Sequence, residues 1–282
     1  MRTQAEKGLA FRALHQREHA FIIPNPWDIG TARLLAYLGF EALATTSAGY
    51  AFSVGQPDAT VGREETLTHV AAIVSATDLP VSADLENGFG DSPESSAETI
   101  KLAAAAGLAG GSIEDVPRRS GAGPYELEHA ADRIRASAEV VRGLPFFFTL
   151  TARAENYLVG KPDLKDTIAR LQAYQEAGAD VLYAPGLTTK EDMSAVVRSV
   201  ERPVNVIMGL QGVQLSLADL SAIGVKRISV GSALSRAALG AFLRASREML
   251  EHGTFGFASE AVAYRDISAM FKTISSPHGR GH

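Results

Sequence analysis

AAAAGLAGGSIEDV (Ala103–Val116) contains the fold in miniature: an alanine-rich helical end, a stop at Gly107, and a short apolar run closing on a Glu-Asp pair. Glycine ends a helix readily because it enters the left-handed conformation without steric cost. The same succession returns in EAGADVLYAP (Glu176–Pro185) around Gly178 and in SAIGVKRISVGS (Ser221–Ser232) around Gly224. Working outward, eight apolar runs read as strands: Ala20–Asn25, Glu41–Ser47, Leu79–Leu85, Ala109–Val116, Pro145–Arg153, Ala179–Pro185, Arg202–Met208 and Lys226–Ser232. They are continuous rather than alternating, as parallel strands covered on both faces should be. Helical patterns lie between them, at Ile29–Leu38, Arg63–Ala76, Pro93–Ala106, Glu126–Val141, Leu164–Ala177, Lys190–Val200, Ser216–Ala222 and Ala233–Glu251. Ser92 before Pro93 and Asp163 before Leu164 are plausible helix starts.

Eight β/α units in one unbroken series predict an α/β protein built as a closed (β/α)8 barrel, with a doubly wound open sheet as the alternative. The 282 residues fit one such domain of about 250 plus short extras. Phe255–Lys272 reads as an additional C-terminal helical segment, and Ser275–His282 as a frayed end. Its stretch AYRDISAMFK (Ala263–Lys272) is more apolar than one barrel needs, which points to a homotetramer or a dimer.

Composition narrows the function. With 46% hydrophobic and 21% charged residues, the chain is of ordinary globular type. A formal charge of −5 and the lack of like-charge blocks give nucleic-acid binding no support. There are no cysteines, so disulfides, thiolate metal sites and cysteine nucleophiles are excluded. The charged N-terminal stretch lacks a signal-peptide core, and no apolar run is long enough for a membrane span. A cytoplasmic enzyme or binding protein is expected.

Barrel active sites lie at the C-terminal ends of the strands. The polar residues expected there are Asp84, Glu86 and Asn87 after the third strand, Glu114 and Asp115 after the fourth, Arg153, Glu155 and Asn156 after the fifth, Asn205 on the seventh, and Asp58 in the loop after the second. Asp84 and Glu86, two residues apart, face one way if the strand stays extended. Glu114 should approach from its neighbour. Acids gathered in one cavity repel each other unless a cation joins them, and hard oxygen donors suit Mg²⁺ or Mn²⁺. Arg153 offers a planar fork for a carboxylate or phosphonate. Each residue alone has a plainer reading: Glu114 as a surface acid, Arg153 as a partner of Glu155, Arg118 and Arg119 as an exposed loop or a lid. Convergence at one end of one barrel favours a metal-and-anion site.

These residues together resemble the isocitrate lyase/phosphoenolpyruvate mutase superfamily, especially its short-chain members. The resemblance runs from about Phe21 to about Leu250. It rests on PNPWDIGTARLLAYLGFEAL (Pro24–Leu43), Gly55–Asp58, DLENGFG (Asp84–Gly90), SIED (Ser112–Asp115), TARAE (Thr151–Glu155), EAGADVL (Glu176–Leu182) and RISVGSAL (Arg227–Leu234). It implies that Asp84, Glu86 and Glu114 bind the metal, partly through water, with Asp58 close by. It also implies that Arg153 grips the substrate anion and that the turn at Ser47, Ala48 and Gly49 holds a substrate carboxylate on backbone amides. Superfamily members are typically tetramers, so residues 252–282 of the single domain spanning residues 1–282 are expected to pack on a neighbouring subunit.

One departure bears on the reaction. The carbon–carbon lyases of the superfamily carry Lys-Lys-Cys-Gly-His after the fourth strand, with the cysteine as proton donor. The matching stretch here is Arg118-Arg119-Ser120-Gly121-Ala122. Serine is a far weaker acid than a thiol, and the histidine is missing. The sixth strand also lacks the histidine of the phosphonomutase branch. The expected function is a Mg²⁺-dependent lyase acting on a small 2-oxo or 2-hydroxy carboxylic acid through a metal-stabilised enolate. Oxaloacetate-type decarboxylation is preferred over 2-methylisocitrate-type cleavage, with Asn205 among the substrate contacts and Asp58, Arg153 and Glu155 as catalytic groups. A phosphonopyruvate hydrolase, a phosphonomutase-like enzyme and a non-catalytic 2-oxo acid binder are the alternatives.

Overall fold

A computed structural model describes residues 2–118 and 121–275. Arg119 and Ser120, and most of the expected frayed end, lie outside the described residues. Eight parallel strands form the centre: β1 (Phe21–Ile23), β2 (Leu43–Ala44), β3 (Val81–Asp84), β4 (Gly110–Glu114), β5 (Thr149–Arg153), β6 (Val181–Tyr183), β7 (Val204–Ile207) and β8 (Arg227–Ser229). Their order is β1-β8-β7-β6-β5-β4-β3-β2, a cyclic series rather than the reversing order of a doubly wound sheet. The remaining edge, between β1 and β2, is bridged by the Ala44 amide donating to the Pro24 carbonyl at 3.0 Å. Pro24 and Pro26 remove two amide donors from this edge, which keeps the seam short. The protein is a (β/α)8 barrel.

Helices surround it: α1 (Gln4–His15), α2 (Ile29–Tyr37), α3 (Ser47–Ser53), α4 (Arg63–Ala76), α5 (Pro93–Ala105), α6 (Leu127–Arg142), α7 (Leu164–Ala177), α8 (Lys190–Ser199), α9 (Leu217–Ala222), α10 (Ala233–His252) and α11 (Tyr264–Ser275), with a 3₁₀ turn at Gly256–Ser259. The starts expected at Ser92 and Asp163 are real caps. Ser92 accepts from the Ser95 amide, and Asp163 from those of Lys165 and Asp166.

Two apolar clusters form the core. The larger lies between strands and helices, where Ile113, Leu150, Leu182, Val204, Val206 and Ile228 meet Val70, Ile73, Ile100, Ile134, Leu171 and Val196. The smaller closes the N-terminal end of the barrel and includes Phe11 and Leu14 of α1 with Phe21, Ile23, Ala42 and Ala109. Helix α1 is not anticipated by the sequence reading, because its charged residues obscure a narrow buried stripe of Lys7, Phe11, Leu14 and His15. Lys7 buries its stem and donates from Nζ to the Thr77 carbonyl at 3.1 Å. Gly8 permits this docking: a Cβ there would stand 2.1 Å from the Phe147 carbonyl oxygen.

Most inward-facing positions toward the mouth are polar, with Ile23 and Ile207 among the exceptions. Ser82 and Asp84 on β3, Ser112 on β4, Arg153 on β5, Tyr183 on β6, Asn205 on β7, and Arg227 and Ser229 on β8 line a cavity of about 200 Å³. Barrel interiors are ordinarily filled by branched apolar side chains. Here the upper lumen is left open and charged.

Outside the barrel, α11 lies along α2 of the same chain, with the Phe271 ring beside Gly30. Helix α10 buries only Ser235 and exposes Leu239, Phe242, Leu243, Met249 and Leu250. Among the described residues, no helix is long and apolar enough to cross a membrane.

His15 gives the fold an acid-sensitive point. Its Nδ1 lies 2.9 Å from the Phe11 carbonyl, and the ring packs edge-on against Phe11 and Phe21. Burial, reinforced by the Arg227 guanidinium, pushes the imidazole down to about 3. The folded state thus binds this proton far less readily than the unfolded chain, where histidine titrates near 6.5. Stability from the neutral ring is complete above pH 6.5 and is lost as pH falls from there toward 3. In urea titrations at pH 7, 6 and 5, His15→Gln should flatten the acid loss of stability by up to about 1.4 kcal/mol per pH unit, one proton's worth.

Candidate active site

Arg153, at the C-terminal end of β5, is the hub of the mouth. Its Nη1 donates to Asp84 Oδ1 at 2.7 Å and its Nε to Glu155 Oε1 at 2.7 Å. Its Nη2 lies 3.2 Å from Glu114 Oε2. The guanidinium also stands 5.4 Å from the centre of the Tyr183 ring. Three acids carried by β3, β4 and the end of β5 therefore meet on one cation. Burial disfavours the charge of Arg153, but Glu155, Asp84 and Glu114 more than compensate and hold its proton firmly.

The second oxygen of Asp84 accepts from the Ser47 hydroxyl at 2.9 Å and the Ser47 amide at 3.2 Å. Ser47 opens α3, whose preceding residue, Thr46, accepts from the Gly49 amide at 3.2 Å. The sequence reading treats this segment as strand end and turn. The short helix forms because Thr46 caps it, and it presents Ser47 and Ala48 to the cavity while burying Gly49.

Asp58 also lines the cavity. Burial and the nearby Asp84 raise its affinity for a proton, against the Ala59 amide, the Ser47 hydroxyl and Arg153. Burial likewise raises Glu114 well above the usual carboxylate range and raises Glu155, in each case against the pull of Arg153. Glu155 is buried and turned to Arg153, and its amide donates to Asp115 Oδ1 at 2.9 Å. It stands behind the cavity wall.

Glu86 departs from the simple expectation. β3 ends at Asp84, and Glu86 takes a left-handed backbone with φ 49, so the strand does not stay extended, yet both acids line one small pocket beneath α3. Phe89, at φ 58, adds a second left-handed non-glycine residue to the same loop. Such backbone is costly and persists only where its surroundings enforce it. Glu86 Oε2 lies 2.6 Å from Arg118 Nε, off the axis of a hydrogen bond. Arg118 donates to the Val61 carbonyl at 2.5 Å and covers the Phe89 ring at 4.9 Å, so it is fastened into the mouth rather than exposed. Burial and Asp84 push Glu86 up to about 7 despite this neighbour.

Arg133, Arg170 and Tyr174 escape the sequence reading, whereas Asp115 and Asn205 are expected near the site. Arg133 on α6 donates to the carbonyls of Glu114, Asn87 and Gly90, tying the loop after β3 to the end of β4. Its one legible signal is a charge on the buried face that Ala130, Ile134 and Ser137 define. Asp115 accepts from Tyr174 at 2.6 Å and from Arg170 at 3.1 Å, which fixes the Glu155 amide it holds. Asn205 lines the cavity at a lower level, where its amide is engaged by Ser229 and Arg227.

Asp58, Asp84, Glu86 and Glu114 form an all-oxygen donor set of the kind that hard divalent cations prefer. Glu86 Oε2 is already neutralised by Arg118 at 2.6 Å, so a cation there would share this acid with the guanidinium. Among the described residues, no three such groups are drawn together tightly enough to enclose a bare ion. The donors fit a cation that keeps part of its water shell, the usual habit of Mg²⁺.

A parallel barrel whose C-terminal mouth gathers buried acids around an arginine has the form of a barrel enzyme's active site. The chain belongs to the phosphoenolpyruvate phosphomutase family, which it matches over residues 11–250. It is similar to a solved structure from Burkholderia cenocepacia J2315 described as a lyase/mutase, with 62% identity over 98% of each chain and a TM-score of 0.94. It is 33% identical over 245 residues to an uncharacterized protein of Mycobacterium tuberculosis, covering 85% of this chain and 88% of that one. It is 31% identical over 205 residues to the 2-methylisocitrate lyase of Escherichia coli K12, covering 70% of this chain and 68% of the relative. The superfamily comprises lyases and mutases.

Lysine at position 153 would keep the charge but could not serve three carboxylates from one planar fork. Loss of a charged hydrogen bond costs about 1.5–3 kcal/mol, so Arg153→Lys should lower turnover by about one to two decades while leaving the far-ultraviolet circular dichroism unchanged.

Proposed function

We propose that this protein is a Mg²⁺- or Mn²⁺-dependent lyase that breaks a carbon–carbon bond in a small 2-oxo or 2-hydroxy carboxylic acid, with oxaloacetate-type decarboxylation as the preferred reaction. The observation that carries this reading is Arg153, braced by Asp84, Glu114 and Glu155, which opens together with Asp84 and Asp58 onto a cavity of about 200 Å³. Asp84, Glu86 and Glu114 would hold the cation. When bound, it would neutralise charge on the 2-oxo and carboxylate oxygens as the bond to C3 breaks.

The chain's own groups divide the remaining work. Ser47 and Ala48, at the start of α3, line the cavity; the Ser47 amide is committed to Asp84, so the Ala48 amide would be the one to meet a substrate carboxylate. Arg153 fixes Asp84 and Glu114 and supplies positive charge beside the bound acid. Asp58, a cavity-facing carboxyl with raised proton affinity, would exchange a proton with C3. Glu155 acts through Arg153. In decarboxylation the C3–C4 bond breaks, its electron pair moves into the C2–C3 enolate, CO₂ leaves, and C3 then takes up a proton. No strong acid is needed for the departing fragment, which suits a chain with serine at position 120. A Mg²⁺-supplemented screen of oxaloacetate, 2-methylisocitrate, isocitrate, dimethylmalate and phosphonopyruvate, following pyruvate and glyoxylate release, tests the reading. Pyruvate from oxaloacetate is the expected result, and no turnover of any of the five would refute it. Ser120→Ala should change the best rate by less than about threefold; a hundredfold loss would reveal a proton donor there and restore the carbon–carbon lyase of the 2-methylisocitrate type.

The apolar face of α10 supports self-association as a tetramer or dimer. Sedimentation at micromolar concentration should return a mass at least twice that of the chain. Phe242→Glu, at a position 65% exposed in the single chain, should lower that mass without unfolding the barrel.

A further inference from the structure

Arg227 stands at the floor of the cavity without a counter-ion. It is 5% exposed, and among the described residues its side-chain partners include no carboxylate. Its Nε donates to Asn205 Oδ1 at 2.9 Å, its Nη2 to Thr151 Oγ1 at 3.1 Å, and its Nη1 faces His15 Nε2 at 3.5 Å. All three partners are neutral, since His15 is held uncharged. A guanidinium has five N–H donors, so two remain without a protein acceptor among the described residues. Burial pulls the group down to about 10, with only the Tyr183 phenol opposing. An isolated buried charge is expensive and is normally paired. Every acid of the mouth belongs instead to Arg153, Arg118 or Ser47.

The surroundings are built for a small anion. Arg227 and Ser229 both line the cavity, together with Asn205. Thr151 stands two residues below Arg153 on β5, about 6.5 Å along a strand. The mouth and the floor are therefore separated by the length of a short dicarboxylic acid.

We infer that Arg227, flanked by Thr151, Asn205 and Ser229, forms an anion subsite at the barrel floor that takes a small carboxylate. Two sources share this chemistry: the second carboxylate of a dicarboxylic substrate, or a free monocarboxylate. The substrate source rests on the function proposed above; the binding measurement does not.

Calorimetric titration with succinate and acetate, at constant ionic strength in carboxylate-free buffer, separates them. If the substrate supplies the group, succinate should bind about tenfold or more tightly than acetate, and Arg227→Met should erase that advantage. If a free anion supplies it, acetate should bind one-to-one and be lost in Arg227→Met, with no advantage for succinate. A folded Arg227→Met protein that binds both acids as the wild type does would overturn the inference. Should that variant not fold, Arg227→Lys keeps the charge, loses the fork, and is read the same way. Independently of any variant, bromide soaked into wild-type crystals should give an anomalous peak within hydrogen-bonding distance of Arg227, and its absence would also overturn the site. Lyase activity with an unchanged KM in Arg227→Met would remove the subsite and leave the proposed function standing. Arg227-dependent succinate binding without turnover in the wild type would do the reverse.

Discussion

The Arg153 guanidinium touches carboxylates carried by three different strand ends, and the mouth of the barrel takes its shape from that contact. Asp84, Glu114 and Glu155 could not be packed side by side in a buried space as bare anions. With Arg153 between them they become a braced unit. Asp84 then fixes Ser47 and the start of α3, and Asp115 fixes the backbone of Glu155 from behind. Arg133 draws the loop after β3 onto the end of β4 through three carbonyls. Cations thus organise this end of the molecule, and the acids they gather supply its chemistry.

Much of this was legible in the sequence, for identifiable reasons. Parallel strands covered on both faces leave continuous apolar runs, and the eight runs are the eight strands. Gly107, Gly178 and Gly224 take positive φ where the reading ends the helices. Asp84, Glu114 and Arg153 come together because strand ends in a barrel must share one rim. Helix α1 was hidden because its buried stripe includes a lysine and a histidine, whose apolar parts a hydropathy pattern does not credit. Glu86 reaches the side of Asp84 through a left-handed turn rather than the extended strand that alternation assumes. Arg227 enters the sequence reading only as the first residue of the RISVGSAL motif. Only closure of the barrel, with β8 hydrogen-bonded to both β1 and β7, turns it inward with Ser229.

The composition of the lumen explains why a barrel core here gives way to a cavity. Serines at 82 and 112 and threonine at 151 occupy inward positions where valine or isoleucine would fill space. Apolar packing is displaced to the helix layer and to the α1 plug below. Stability and chemistry are thereby assigned to different layers of the same strands, and alternate residues of β5 serve each in turn.

The strands also divide by charge around the ring. Asp58, Asp84, Glu86, Glu114 and Glu155 belong to the arc from β2 to β5, where Arg118 and Arg153 offset only part of their charge, whereas the arc from β6 through β8 to β1 presents Tyr183, Asn205, Arg227, Ser229 and Asn25. The short β1–β2 seam is one of the two borders between these arcs. A lumen with low-dielectric walls and unlike banks sustains a transverse electric field. A dipolar molecule entering from solvent experiences a torque before it touches any side chain, so its orientation is biased during descent rather than chosen on arrival.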